Sequence, residues 1–133
     1  MVYKPLPHYS INEIREIMHT GTIEDIIVLP LAVGENEINW KIAQDICVEL
    51  SEHEDERVRA NAALGLAYIG KTKGILEKHI VKPVILKLLR ECIEYKCLVI
   101  DAISDLKIFM KWNIGEKAIK KYKSEDIKKW NIA

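Results

Sequence analysis

The central part of this chain repeats itself with a period of about 40 residues, and that repeat limits the fold more than any other feature. Val58, Ala62, Leu66 and Ile69 correspond to Leu98, Ala102, Leu106 and Phe109. The segments just before them match as well, Ile42, Ile46 and Leu50 with Val81, Ile85 and Leu89. Each set recurs at i, i+3/i+4 spacing, which puts it on one stripe of a helix. Neither helical pair can bury its stripe alone, so the pairs must stack into one continuous core. No segment shows the sustained alternation of a half-buried strand. The expected fold is all-α.

The N-terminal region carries its own helix signals. Ser10-Ile11-Asn12-Glu13 has the form of a capping box, in which hydroxyl and carboxylate each satisfy a free backbone N–H. Ile11, Ile14, Ile17 and Met18 follow at helical spacing, and Gly21 is placed to end the helix. Thr22 with Asp25 opens a second one. Its run Ile26 to Leu29 would also suit a strand by β-branching, but the cap favours a helix that kinks or ends near Pro30. Gly34 to Asn39 reads as a loop. Helices are then expected from Trp40 to about Ser51, from Arg57 to a stop at Gly70, through Val81 to Leu89, and from Leu98 to Phe109. Beyond Gly115 the apolar residues Ala118, Ile119, Tyr122, Ile127 and Trp130 support two weak turns at most.

The block Val58-Arg59-x-x-Ala62-x-x-Gly65-Leu66-Ala67-x-Ile69-Gly70 resembles the second helix of a HEAT repeat. Lys82-Pro83-Val84-Ile85-Leu86-Lys87-Leu88-Leu89 resembles the Pro-containing first helix of the next repeat, although Val99 stands where the second copy would carry its Arg. The resemblance implies a short right-handed α-solenoid (α-α superhelix) of HEAT-like pairs. The single domain, 1–133, would hold capping helices at 10–38, two pairs at 39–110 and a basic C-terminal helix at 111–133. Val58, Ala62, Leu66, Gly70 and Pro83 would be structural positions, and Arg59 would tie neighbouring repeats together. Asn39 to Asp45, the Val58 block and Asp101 to Phe109, in that order, are also similar to small bacterial HEAT-like proteins found beside polymorphic or contact-dependent toxins. There such proteins act as immunity partners. That resemblance implies a cytoplasmic, non-catalytic protein that binds and neutralises a cognate toxin, a basic nuclease being one form of it.

Charge sharpens the search for a surface. The formal net charge is zero, which argues against a generally basic nucleic-acid binder, yet the two parts of the chain oppose each other. Residues 1–56 contain three cations and twelve acids, whereas 57–133 contain seventeen cations and eight acids. Glu49, Glu52, Glu54, Asp55 and Glu56 crowd the turn before the Val58 helix. Asp55 is placed to cap that helix; the others either solvate the turn or face a basic partner. Tyr68 falls off the buried stripe, as an exposed aromatic anchor or as packing on a neighbouring repeat. Asp101 and Asp105 share a helix face and suit recognition or solvation. Trp40 belongs on the apolar side of its helix.

Catalytic chemistry finds no support. His8, His19, His53 and His79 are scattered, and His53-Glu54-Asp55-Glu56 lacks the second His of a zinc site. No nucleophile elbow or phosphate-binding Gly-rich loop occurs. No enzyme, metal or cofactor is expected. Cys47, Cys92 and Cys97 lie in apolar helical contexts and are expected as buried, reduced thiols. The longest apolar run, Ile26 to Val33, contains Pro30 and falls far short of the ~18 residues that span a bilayer, so no membrane role is expected. The competing partner is nucleic acid, through Lys117, Lys120, Lys121, Lys123, Lys128 and Lys129 with Tyr122 and Trp130 interleaved for stacking. A scaffold or chaperone role has no specific feature behind it.

Overall fold

The computed structural model describes residues 5–130, with 126–130 described through their backbone alone. It contains α1 (Ile11–Thr20), α2 (Ile23–Asn36), α3 (Trp40–Leu50), α4 (Glu56–Lys73), α5 (Lys78–Glu91), α6 (Lys96–Met110) and α7 (Glu116–Trp130), and no strand among the described residues. The caps read from sequence form: Ser10 Oγ accepts the N–H of Glu13 while Glu13 accepts that of Ser10. Thr22 and Asp55 cap α2 and α4 as read, each side chain accepting a backbone N–H, and Asn39, at the end of the expected loop, caps α3 in the same one-way fashion.

Helices α2, α4 and α6 pack side by side with the same polarity, because contacts between them advance together along both chains. Asn61 Nδ2 donates to Ile27 O at 2.8 Å, and further along Gly65 lies against Pro30 and Gly34. On the other side of α4, Arg57 sits over the Tyr95 ring and, fourteen residues on in each helix, Lys71 over Phe109. Helix α3 packs on α2 and α4, and α5 on α4 and α6. Val58, Ala62, Leu66 and Ile69 are fully buried in the core between the layers, as the repeat requires.

Several boundaries differ from the sequence expectation. Helix α2 continues through Pro30 to Asn36, which removes the strand alternative and turns part of the expected loop into helix. Pro30 has no N–H to give, but burial of Ala32, Val33 and Gly34, the last of them against Gly65 of α4, outweighs the missing bond. Helix α4 passes Gly70 and ends at Gly74, which adopts φ +69°, the left-handed conformation that only Gly takes without strain. Gly70 instead faces Met110, Leu106 and Leu76. Phe109, assigned to the buried stripe, is 45% exposed, because the chain turns at Lys111 and returns Trp112 and Ile114 into the core at that end. Cys97 is exposed; it lies on the solvent side of α6, opposite Val99 and Ile103. Cys47 and Cys92 are buried, and burial pushes the Cys47 thiol up to about 12.

The basic tail forms the helix α7, which starts at Glu116. It runs antiparallel to α6, with Lys107 near Glu116 (3.4 Å) at one end and Lys96 over the Tyr122 ring (5.6 Å) at the other. Among the described residues, Ile119 and Tyr122 press it onto the core.

Candidate functional site

The row formed by α2, α4 and α6 brings Tyr68 together with Asp105, two candidates read from different helices. Tyr68 projects from the middle helix, half-buried, with Glu35 of α2 and Asp105 of α6 near enough to act on its hydroxyl. Burial, and then the charges of Glu35 and Asp105, hold the Tyr68 phenol above its ordinary value. Asp101 lies one helical turn before Asp105 and is exposed. Beside the ring a shallow cleft of about 290 Å³ is lined by Glu35, Tyr68, Lys71 and Thr72. Lys71 does not fill it, since its ammonium sits 5.7 Å from the Phe109 ring centroid. The face therefore presents an aromatic ring between two carboxylates, with an exposed Phe at its border. Glu35, Lys71 and Phe109 were not anticipated as parts of it. Nothing in the sequence sets the register of α2 against α4, because that register rests on a close approach of glycines.

The acidic turn is divided by the structure. Glu49 and Glu52 line a cleft of about 210 Å³ between α1 and the α3–α4 turn, together with Arg15, His19 and His53. Glu54 is exposed. Glu56 is turned the other way: Oε1 accepts the N–H of Ile93 at 2.9 Å and Oε2 that of Tyr95 at 2.7 Å. The bond from Ile93, with that from Tyr95, holds its carboxyl below the usual range despite partial burial. Glu56 thus braces the start of α6, and its oxygens are engaged within the molecule.

Arg59 lies near enough to the Cys92 thiol, at the end of α5, to act on it. Its Nη1 donates to the carbonyls of His53 and Glu54 at 2.9 and 2.8 Å, both in the turn just before its own helix. Glu56 and Gln44 also tie α3 and α4 to the segments that follow them. The fully buried Gln44 amide donates to Glu77 Oε1 at 2.9 Å and accepts the Glu77 N–H at 2.8 Å. Lys41 pairs with the same carboxylate, which is held low by Lys41 first and Gln44 second. Pro83 lies in the exposed side of α5, and Trp40 is half-buried against the core.

No group of three or more His, Cys, Asp or Glu side chains among the described residues is arranged to hold a metal ion. No helix of the described residues is long and apolar enough to cross a membrane. On α7, Lys117, Lys120, Lys121 and Lys123 are exposed, but the Tyr122 ring is half-buried with Lys96 over it. The side chains of Lys128, Lys129 and Trp130 lie outside the described residues.

No protein-family model matches the sequence. No curated protein matches it either. Among solved structures, a chain in the crystal structure of a CDI complex from Cupriavidus taiwanensis LMG 19424 is similar in fold, with a TM-score of 0.70 and 20% identity. The alignment covers 82% of this chain and 97% of that one, so the likeness takes in nearly the whole of the other molecule.

Proposed function

We propose that this chain is a non-catalytic immunity protein of a contact-dependent inhibition system, which binds and neutralises a toxin encoded beside it. The observation that carries the reading is the fold likeness to a whole small chain of a CDI complex. The sequence resemblance to bacterial HEAT-like immunity proteins points the same way, and a short α-solenoid of HEAT-like pairs is the architecture that goes with it. The repeat pairs would supply a rigid frame and the helix faces the contacts.

The toxin-binding face in this reading is the surface around Tyr68. Tyr is among the residues that most often anchor interfaces, because it is large, rigid and loses little entropy on binding. Carboxylates on either side suit it to an Arg or Lys of the partner, held by cation–π contact and charged hydrogen bonds. Glu49, Glu52 and Glu54 would raise the rate of encounter with a basic toxin, such as a nuclease, without each adding much affinity. The protein would act in the cytoplasm, where such a toxin arrives.

The test is co-expression with the toxic domain encoded by the adjacent gene. Cells making both proteins should grow while cells making the toxin alone should not. Equal growth arrest in the two cultures would remove the immunity function.

A further inference from the structure

A cleft between α6 and α7 differs in character from the two described above. Its floor is apolar, built from Ile103, Trp112, Ile114 and Ile119, and it encloses about 220 Å³. The gap has a physical origin. Helix α7 is mostly Lys and Glu and presses on the core through Ile119 and Tyr122, so it bridges the hollow beside Trp112 without filling it.

The rim is positive. Lys107, Lys120 and Lys123 surround the opening. Lys107 is partly neutralised by Glu116 at 3.4 Å. Among the described residues no carboxylate lies within ion-pair distance of Lys120 or Lys123, which share one face of α7 and repel each other. Asn113 adds a neutral amide donor, whereas Ser104 spends its hydroxyl proton on Ile100 O at 3.1 Å. Unbalanced cations over an apolar, weakly polarisable floor attract an anion more strongly than the same lysines would in open water.

We propose that this cleft binds a small amphipathic organic anion. Its apolar or aromatic body would lie on Ile103, Ile114 and the edge of Trp112, and its carboxylate between Lys120 and Lys123 within reach of Asn113. A cation of the same shape is rejected, because it would bring a third like charge to the rim. The site is separate from the Tyr68 face, so it stands whether or not a toxin is bound there.

The test is an amide-shift titration of the full chain with indole-3-acetate, with tryptamine as the cationic molecule of the same body and acetate as the head alone. Indole-3-acetate should give saturable shifts confined to 103–107 and 112–123, with a Kd of about 1 mM. Tryptamine should bind at least about tenfold more weakly, and acetate should not saturate. The double variant Lys120→Glu, Lys123→Glu, at exposed positions, should keep the spectrum of the rest of the chain and lose about tenfold or more in affinity for indole-3-acetate. Affinity of the natural sequence should also fall with added salt. Absence of saturable shifts at 10-fold the expected Kd, about 10 mM, would overturn the proposal. So would equal binding of tryptamine, or unchanged affinity in the double variant.

Discussion

Helix α4 has two neighbours in its row, and it meets them by different means. Against α2 the contact is backbone on backbone: a Cβ on Gly34 would fall 2.4 Å from Gly65 O, and one on Gly65 would fall 2.5 Å from Pro30 O and 2.8 Å from Cys47 Sγ. Asn61 reaches the Ile27 carbonyl of α2 across that seam at 2.8 Å, and the Cys47 thiol of α3 reaches the Pro30 carbonyl beside it at 3.8 Å. Against α6 the contact runs through side chains. Glu56 holds the backbone before α6, Arg57 and Lys71 lie over Tyr95 and Phe109, and the atoms nearest a Cβ on Gly70 are side-chain atoms, those of Met110 and Leu106 on α6 among them. A close seam is rigid and intolerant; a side-chain seam can yield at small cost.

The largest expected effect is therefore at Gly65. Ala gains roughly 1 kcal/mol in helix propensity over Gly, but here its methyl must displace backbone, and a net loss of about 2–4 kcal/mol is expected for Gly65→Ala. Urea unfolding measures it. A variant as stable as the natural sequence would show that the seam has more room than its geometry allows.

Next comes Glu56, the brace of the second seam. Glu56→Gln should cost about 1–2 kcal/mol at neutral pH, since it weakens charge-assisted bonds to two N–H groups. The sign of the pH dependence follows from a folded-state carboxyl held below its ordinary value of 4.5. Its contribution is fully present above that value and is lost as pH falls through the lower, folded-state one. The stability gap between the natural chain and Glu56→Gln should close on acidification below about 4.5. Glu77, held low by Lys41, weakens in the same window in both proteins.

The smallest effect is expected at Gly70. A methyl there would sit 3.1 Å from Met110 Cγ, a side chain that can move. Gly70→Ala should leave stability within about 0.5 kcal/mol, the propensity gain offsetting the adjustment. The contrast with Gly65→Ala, the same substitution on the same helix, is the most economical check on the difference between the seams.

The same contrast explains what was legible in the sequence. The caps at Ser10, Thr22 and Asp55 and the stripe through Val58, Ala62, Leu66 and Ile69 are local or periodic, and each formed as read. The end of α4 was misplaced because a helix glycine can serve packing as well as termination, and only the φ of Gly74 separates the two roles. Trp112 and Ile114 escaped notice because they sit in an irregular segment with no period. For the site, Tyr68 and Asp105 were visible as residues off the buried stripe, but their partnership with Glu35 was not. It depends on how far α2 slides along α4, which Gly34 and Gly65 decide. Glu56 looked like one more surface acid because its acceptors lie in a turn that is remote in sequence.

The central claim is that the Tyr68 face binds a toxin. Calorimetric titration of the purified chain with the inactivated toxic domain of the adjacent gene tests it most directly. The natural chain should bind at one to one, and Tyr68→Ala should bind about 30-fold or more weakly, the loss of a hot-spot residue worth about 2 kcal/mol. No binding by the natural chain, or full affinity in Tyr68→Ala, would contradict the account.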